Sequence, residues 1–123
     1  MTYCKMFVDA EPEIVQPVVE KVLGQSFAPP GYLTVSGVDV EVNRNKDARG
    51  RAAQQWRANG GADFILWPAL VELDTGEDEV TPTIVELTAR LLTALWEAGR
   101  PAVAACDYED QLPWSGGIQR LGD

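Results

Sequence analysis

Three carboxylates within four positions, Asp107, Glu109 and Asp110, with Tyr108 among them, stand at the end of an apolar run and are the group of side chains to consider for chemistry. Carboxylates alone can move protons when one is held in an apolar pocket that raises its pKa. Acids this close together at the end of an apolar run more simply make a solvated cap, which offers charge to a partner and discourages strand pairing. The chain has no histidine, which removes the usual Ser-His, Cys-His and histidine-metal arrangements. Gly24, Gly31 and Gly37 fit neither a dinucleotide nor a phosphate-loop spacing. No catalytic residue, metal ligand or cofactor is therefore assigned. The reading is partner contact through Asp107, Tyr108, Glu109 and Asp110. Trp114, just beyond the cluster, and Trp56, in a basic segment, join them because aromatics beside charge are common interface anchors.

Composition narrows the partner. The chain of 123 residues carries 19 acids against 10 bases, a net charge of −9, and 46% hydrophobic residues. That is one domain able to bury a core, and its sign is wrong for nucleic acid. Arg44, Lys46, Arg49, Arg51 and Arg57 hold half of the bases within 14 positions, against Asp47 alone. The remainder is strongly acidic, so a protein partner is expected to be basic. No apolar run reaches bilayer-spanning length and the N-terminus lacks a signal pattern, so no membrane is implied and a cytoplasmic location is the default. Cys4 and Cys106 suit two reduced, buried thiols better than a disulfide framework or a zinc site.

The elements that must position these residues follow from periodicity. Residues 3–8 alternate as a first strand, with Cys4, Met6 and Val8 on one face and Tyr3, Lys5 and Phe7 on the other. Residues 9–24 form a helix, which Pro17 should kink or delay. Residues 32–43 alternate as a second strand whose phase changes at Ser36-Gly37, the mark of a bulge or tight turn. Residues 44–63 read as a long basic loop with a short helix around Trp56, and 64–73 as a third strand broken in some way by Pro68. Thr81, Pro82 and Gly99 bracket the clearest helix, striped by Ile84, Leu87, Leu91 and Leu95. Residues 102–108 form the fourth strand, and 112–123 a tail.

Strand, helix, strand, strand, helix, strand is the order of a split βαβ, the ferredoxin-like α+β sandwich in a single domain covering 1–123. Both helices then cover one face of a four-stranded antiparallel sheet with order 4-1-3-2. Strand four runs antiparallel to strand one, so Asp107 lies near the beginning of strand one, far from Asp9. The second face of the sheet is left open. Either the tail folds over it, through Leu112, Trp114, Ile118 and Leu121, or a second copy does, giving a homodimer.

The stretch Val103-Ala104-Ala105-Cys106-Asp107-Tyr108-Glu109-Asp110-Gln111-Leu112-Pro113, with Phe64-Ile65-Leu66-Trp67-Pro68-Ala69-Leu70-Val71-Glu72, resembles an uncharacterised group of small acidic proteins of actinobacterial type. In size and charge the chain is also similar to toxin-neutralising immunity proteins. The resemblance implies a ferredoxin-like fold. The function expected is a non-catalytic acidic domain that binds another protein, as an inhibitor or immunity-type factor. The alternative is a small-ligand binder or enzyme of the dimeric ferredoxin-like kind that works through carboxylates. A flat acidic surface would favour the first, a deep pocket lined by Tyr or Asp the second.

Overall fold

The computed structural model describes residues 2–27, 31–46 and 64–122. Among these, strands β1 (Thr2–Val8), β2 (Tyr32–Val35), β3 (Val38–Arg44), β4 (Ala69–Thr75) and β5 (Ala102–Cys106) build one antiparallel sheet ordered β2-β3-β4-β1-β5. Helices α1 (Pro12–Leu23) and α2 (Pro82–Glu97) complete an α+β architecture. None of the helices described is long and apolar enough to cross a membrane.

The period-2 alternation of the strands assigns the two faces of the sheet. Cys4, Met6 and Val8 of β1, Val38 and Val40 of β3, Val71 and Leu73 of β4 and Ala102 and Ala104 of β5 join one buried cluster. Val15 and Val19 of α1 and Ile84, Leu87, Leu91 and Leu95 of α2 close it from above. α2 starts as its sequence dictates: the Thr81 hydroxyl accepts from the Ile84 amide at 3.3 Å, and Pro82 follows. It stops at Gly99, whose φ of +76° lets the amides of Gly99 and Arg100 turn back onto Trp96 O and Leu95 O.

Five strands replace the four expected. The segment 32–43 is a hairpin rather than one strand, because Ser36 and Gly37 both take positive φ, the geometry of a two-residue turn matched to strand twist. The turn also explains the phase change: Leu33 opposes Val40 and Val35 opposes Val38, so both halves send their apolar residues to the same face. The strand expected over 64–73 begins only at Ala69. Phe64–Leu66 is a 3-10 turn, and Pro68 ends it with no amide to offer a ladder. Asn45, buried and unremarked in the sequence reading, ties that turn to β3. Its side-chain amide donates to Ile65 O and Trp67 O, each at 2.8 Å, and its backbone amide to Pro68 O. α1 runs through Pro17, which sits on its exposed side, without the delayed start expected. The basic segment expected as loop from 44 is strand at Arg44, whose guanidinium bridges Glu11 and Glu13 at 2.8 and 2.9 Å. Residues 47–63, with Trp56, lie outside the described residues. The fourth expected strand ends at Cys106, two residues early.

The tail does not fold over the open face, as one of the two expectations had it. Pro113–Gly122 instead runs along the outer edge of β5. Trp114, Ser115, Gly116 and Gly117 all take positive φ there, and a Cβ added at Gly117 would stand 2.5 Å from Ala102 O, or at Gly116 2.9 Å from Ala104 O. The close approach of backbone to backbone needs glycine. Trp96 seals the same edge: its indole N–H donates to Ala102 O at 3.0 Å, and the Arg120 guanidinium lies 4.6 Å from its ring. Replacing Gly117 with Ala should cost about 2 kcal/mol or more, a Tm drop of roughly 5–10 °C by calorimetry. Gly24→Ala, also at positive φ but with nothing within 4 Å, should cost clearly less. Equal losses would mean the tail does not depend on this contact.

Candidate functional site

The acidic cluster at the end of β5 is not one surface. Asp107 and Asp110 are exposed, but Tyr108 is fully buried and belongs to the core. Its hydroxyl lies 2.9 Å from the Thr88 hydroxyl. Thr88 spends its own proton on Ile84 O at 2.7 Å, so Tyr108 is the donor of that pair. The phenol thus pins the turn after β5 to α2, and Tyr108 is withdrawn as a partner contact. Burial is also what raises its pKa. Glu109 turns inward as well: its carboxylate accepts from the Cys106 amide at 3.1 Å, capping the strand's outer edge. Trp114 remains exposed, at 49%, on a backbone φ of +56°, an uncommon conformation for a bulky residue, and Arg120 lies 5.9 Å from its ring.

A larger charged surface lies on the sheet face away from the helices. The strand registers place its residues in rows. One row reads Thr34, Asp39, Asp74, Tyr3; the next reads Tyr32, Glu41, Glu72, Lys5, Ala105; the third reads Asn43, Leu70, Phe7, Val103. Beyond the exposed Asn43 the third row is apolar and covered, with Phe64 packed edge-on against Phe7 at 5.4 Å between ring centroids. The first two rows are open. They set Asp39 directly opposite Asp74 and Glu41 directly opposite Glu72, two like-charged pairs on adjacent strands. Lys5 is the one base in these rows. Arg44, the nearest base on β3, faces the other way and is engaged by Glu11 and Glu13.

Four carboxylates and the rings of Tyr3 and Tyr32 line a shallow depression of about 160 Å³, well below the roughly 300 Å³ at which ligand pockets begin. Neighbouring polar groups offset the crowding only in part. The Thr34 hydroxyl donates to Asp39 at 2.6 Å, and the Asn43 side-chain amide donates to Glu41 at 3.1 Å and Glu72 at 3.4 Å. Among the described residues no group of acids and cysteines is arranged to hold a metal ion. What the surface can do is present concentrated negative charge on a rigid sheet, rimmed by two half-exposed tyrosines.

Part of the signal for this surface is present in the sequence, which gives 38–43 one wet face. Asp39 and Glu41 alternate with valines, and Glu72 and Asp74 alternate with Val71 and Leu73. Only the register, which puts these alternations side by side, turns four scattered acids into one patch.

Tyr3 reports the field of that patch. Partial burial, then the neighbouring Glu72 carboxylate, push its pKa up to about 12. A raised phenol pKa means the folded protein holds the proton longer than the unfolded chain. The associated stability is complete below pH 10 and is lost as pH rises from about 10 to about 12. NMR of ring-labelled tyrosine should place the Tyr3 midpoint near pH 12, and Glu72→Gln should bring it down toward 10. A midpoint that ignores the substitution would exclude Glu72 as a cause.

The chain matches no protein-family model, no curated protein and no solved structure, so the chemistry of this surface carries the functional reading.

Proposed function

We propose that this protein is a non-catalytic binding domain that docks a basic segment of another protein, in the manner of an inhibitor or immunity-type factor. Its principal contact is the open face of the sheet, with Asp39, Glu41, Glu72 and Asp74 supplying charge and Tyr3 and Tyr32 supplying aromatic contact. The fold is read as a ferredoxin-like sandwich whose sheet gains one strand, β2, at the edge. The observation that carries the reading is the pair of like-charged cross-strand oppositions. Such pairs weaken a sheet, and a fold selected for stability alone would place a base or a neutral residue on one side. A cationic partner relieves both at once.

The same charge argues against self-association through this face, since a second copy would bring another four carboxylates against the first. Size argues against a small-ligand site on this face, because the depression is smaller than ligand pockets are. Asp107, Asp110 and Trp114, at the far edge of β5, serve as a secondary contact.

The test joins binding to stability. A variant carrying Asp39→Asn, Glu41→Gln, Glu72→Gln and Asp74→Asn should melt higher than the parent by a few degrees, since each relieved opposition contributes about 0.2–1 kcal/mol. It should also lose at least tenfold in affinity for a Lys/Arg-rich probe peptide at low salt, and the parent's affinity should fall as salt is raised. Asp107→Asn with Asp110→Asn should weaken binding by a smaller factor. Undiminished peptide binding by the four-site variant would overturn the assignment of the surface.

A further inference from the structure

Cys4 and Cys106 are register partners on adjacent antiparallel strands. The Asp9 amide donates to Pro101 O at 2.9 Å, which makes 9 and 101 a hydrogen-bonded pair. Alternation then makes 7 with 103 and 5 with 105 hydrogen-bonded, and 4 with 106 not. In a non-hydrogen-bonded pair the Cα atoms stand about 4.5 Å apart and the side chains are at their closest. That spacing lies within the range over which a disulfide closes. Both side chains point to the helix-covered face, Cys4 within the core cluster and Cys106 packed against it. Each thiol is the largest single influence on the other's ionisation, as their register requires.

Their surroundings differ in a way that suits sequential chemistry. Cys4 has no exposed surface, whereas Cys106, the last residue of β5, is half-buried and reachable. The neighbouring Cys4 thiol, aided by the backbone at Tyr108, holds the Cys106 thiol below its usual range, while the Cys106 thiol and burial hold Cys4 above it. The reachable sulfur is therefore the better nucleophile and the enclosed one keeps its proton.

We infer that Cys4 and Cys106 form a redox-responsive dithiol, which a small hydroperoxide oxidises to a disulfide joining β1 to β5. The Cys106 thiolate attacks the terminal peroxide oxygen, the O–O bond breaks, and the departing oxygen takes a proton to leave as water or an alcohol. Cys106 is then a sulfenic acid. The Cys4 sulfur attacks the Cys106 sulfur, the S–O bond breaks, and the hydroxyl departs as water with the Cys4 proton. Two thiols have lost two electrons to one peroxide, and no further reactant is needed. A small oxidant is specified because Cys106 is only partly exposed. The bond would fasten the edge strand, and with it the turn and tail packed on it, to the centre of the sheet. This inference is independent of the partner-binding reading, since neither sulfur lies on the acidic face.

The test uses the full chain, reduced and then exposed to a small excess of hydrogen peroxide. Intact mass should fall by two hydrogens, both thiols should become inert to alkylation without any intermolecular link, and dithiothreitol should restore them. Tm should rise by roughly 5 °C or more in the oxidised form, because the bond closes a long loop. Cys4→Ala should instead let dimedone trap a sulfenic acid at Cys106, and Cys106→Ala should leave Cys4 unreactive. Oxygen adducts on Cys106 with no loss of two hydrogens, or two thiols untouched by peroxide, would overturn the inference in the unsubstituted protein, whatever the variants do.

Discussion

Everything else in this domain hangs on β1 keeping its register between two neighbours. It pairs with β4 along its whole length and with β5 over Cys4 to Val8, and both ladders must place Cys4, Met6 and Val8 toward the helices. A slip of one residue in either ladder would carry Tyr3, Lys5 and Phe7 into the core and expel three residues that have no exposed surface. Because a charged Lys5 cannot be buried in this apolar cluster without a partner, that alternative is closed. One register then fixes the neighbours of every residue on both faces.

The two ends of the sheet are handled differently. At the β5 end, Ala102 O and Ala104 O point away from β1, because the residues between them make the ladder bonds. Trp96 meets the first and the glycine pair of the tail lies against both. Glu109 accepts from the Cys106 amide on the same edge. An edge strand left open invites pairing with another chain, and here backbone, indole and carboxylate together close it. Four consecutive positive-φ residues are the conformational cost of that path, tolerated by Gly116 and Gly117 and less easily by Trp114 and Ser115.

The open sheet face divides along its strands into an apolar third and an acidic remainder. Phe7, Leu70 and Val103 are covered, with Phe64 of the turn held by Asn45 packed on Phe7. The rows beyond are wet, negatively charged and internally repulsive. A sheet can accept such a face because water screens it and because the opposite face supplies the burial. Stability therefore comes chiefly from the helix-covered side of the sheet, and the paired acids lie on the other.

How much of this was legible beforehand depended on the range of the interactions involved. The alternation of β1, the capped start and glycine stop of α2, and the antiparallel pairing that sets Cys4 near Cys106 follow from local periodicity and from the order of elements, and they are found as read. Ser36-Gly37 was visible as punctuation, but whether it bends a strand or reverses it depends on β3 finding β4, which is a tertiary event. Tyr108 looked like part of an acidic surface because its neighbours in sequence are acids. Its burial is decided by Thr88, twenty positions away, which offers the hydrogen bond that makes enclosure affordable. By itself the sequence determined which residues share a strand face and where helices begin and end, since those depend on dihedral preferences and spacing along the chain. Only the tertiary structure decided which faces meet. The acidic patch exists because register, a relation between distant segments, places Asp39 against Asp74 and Glu41 against Glu72.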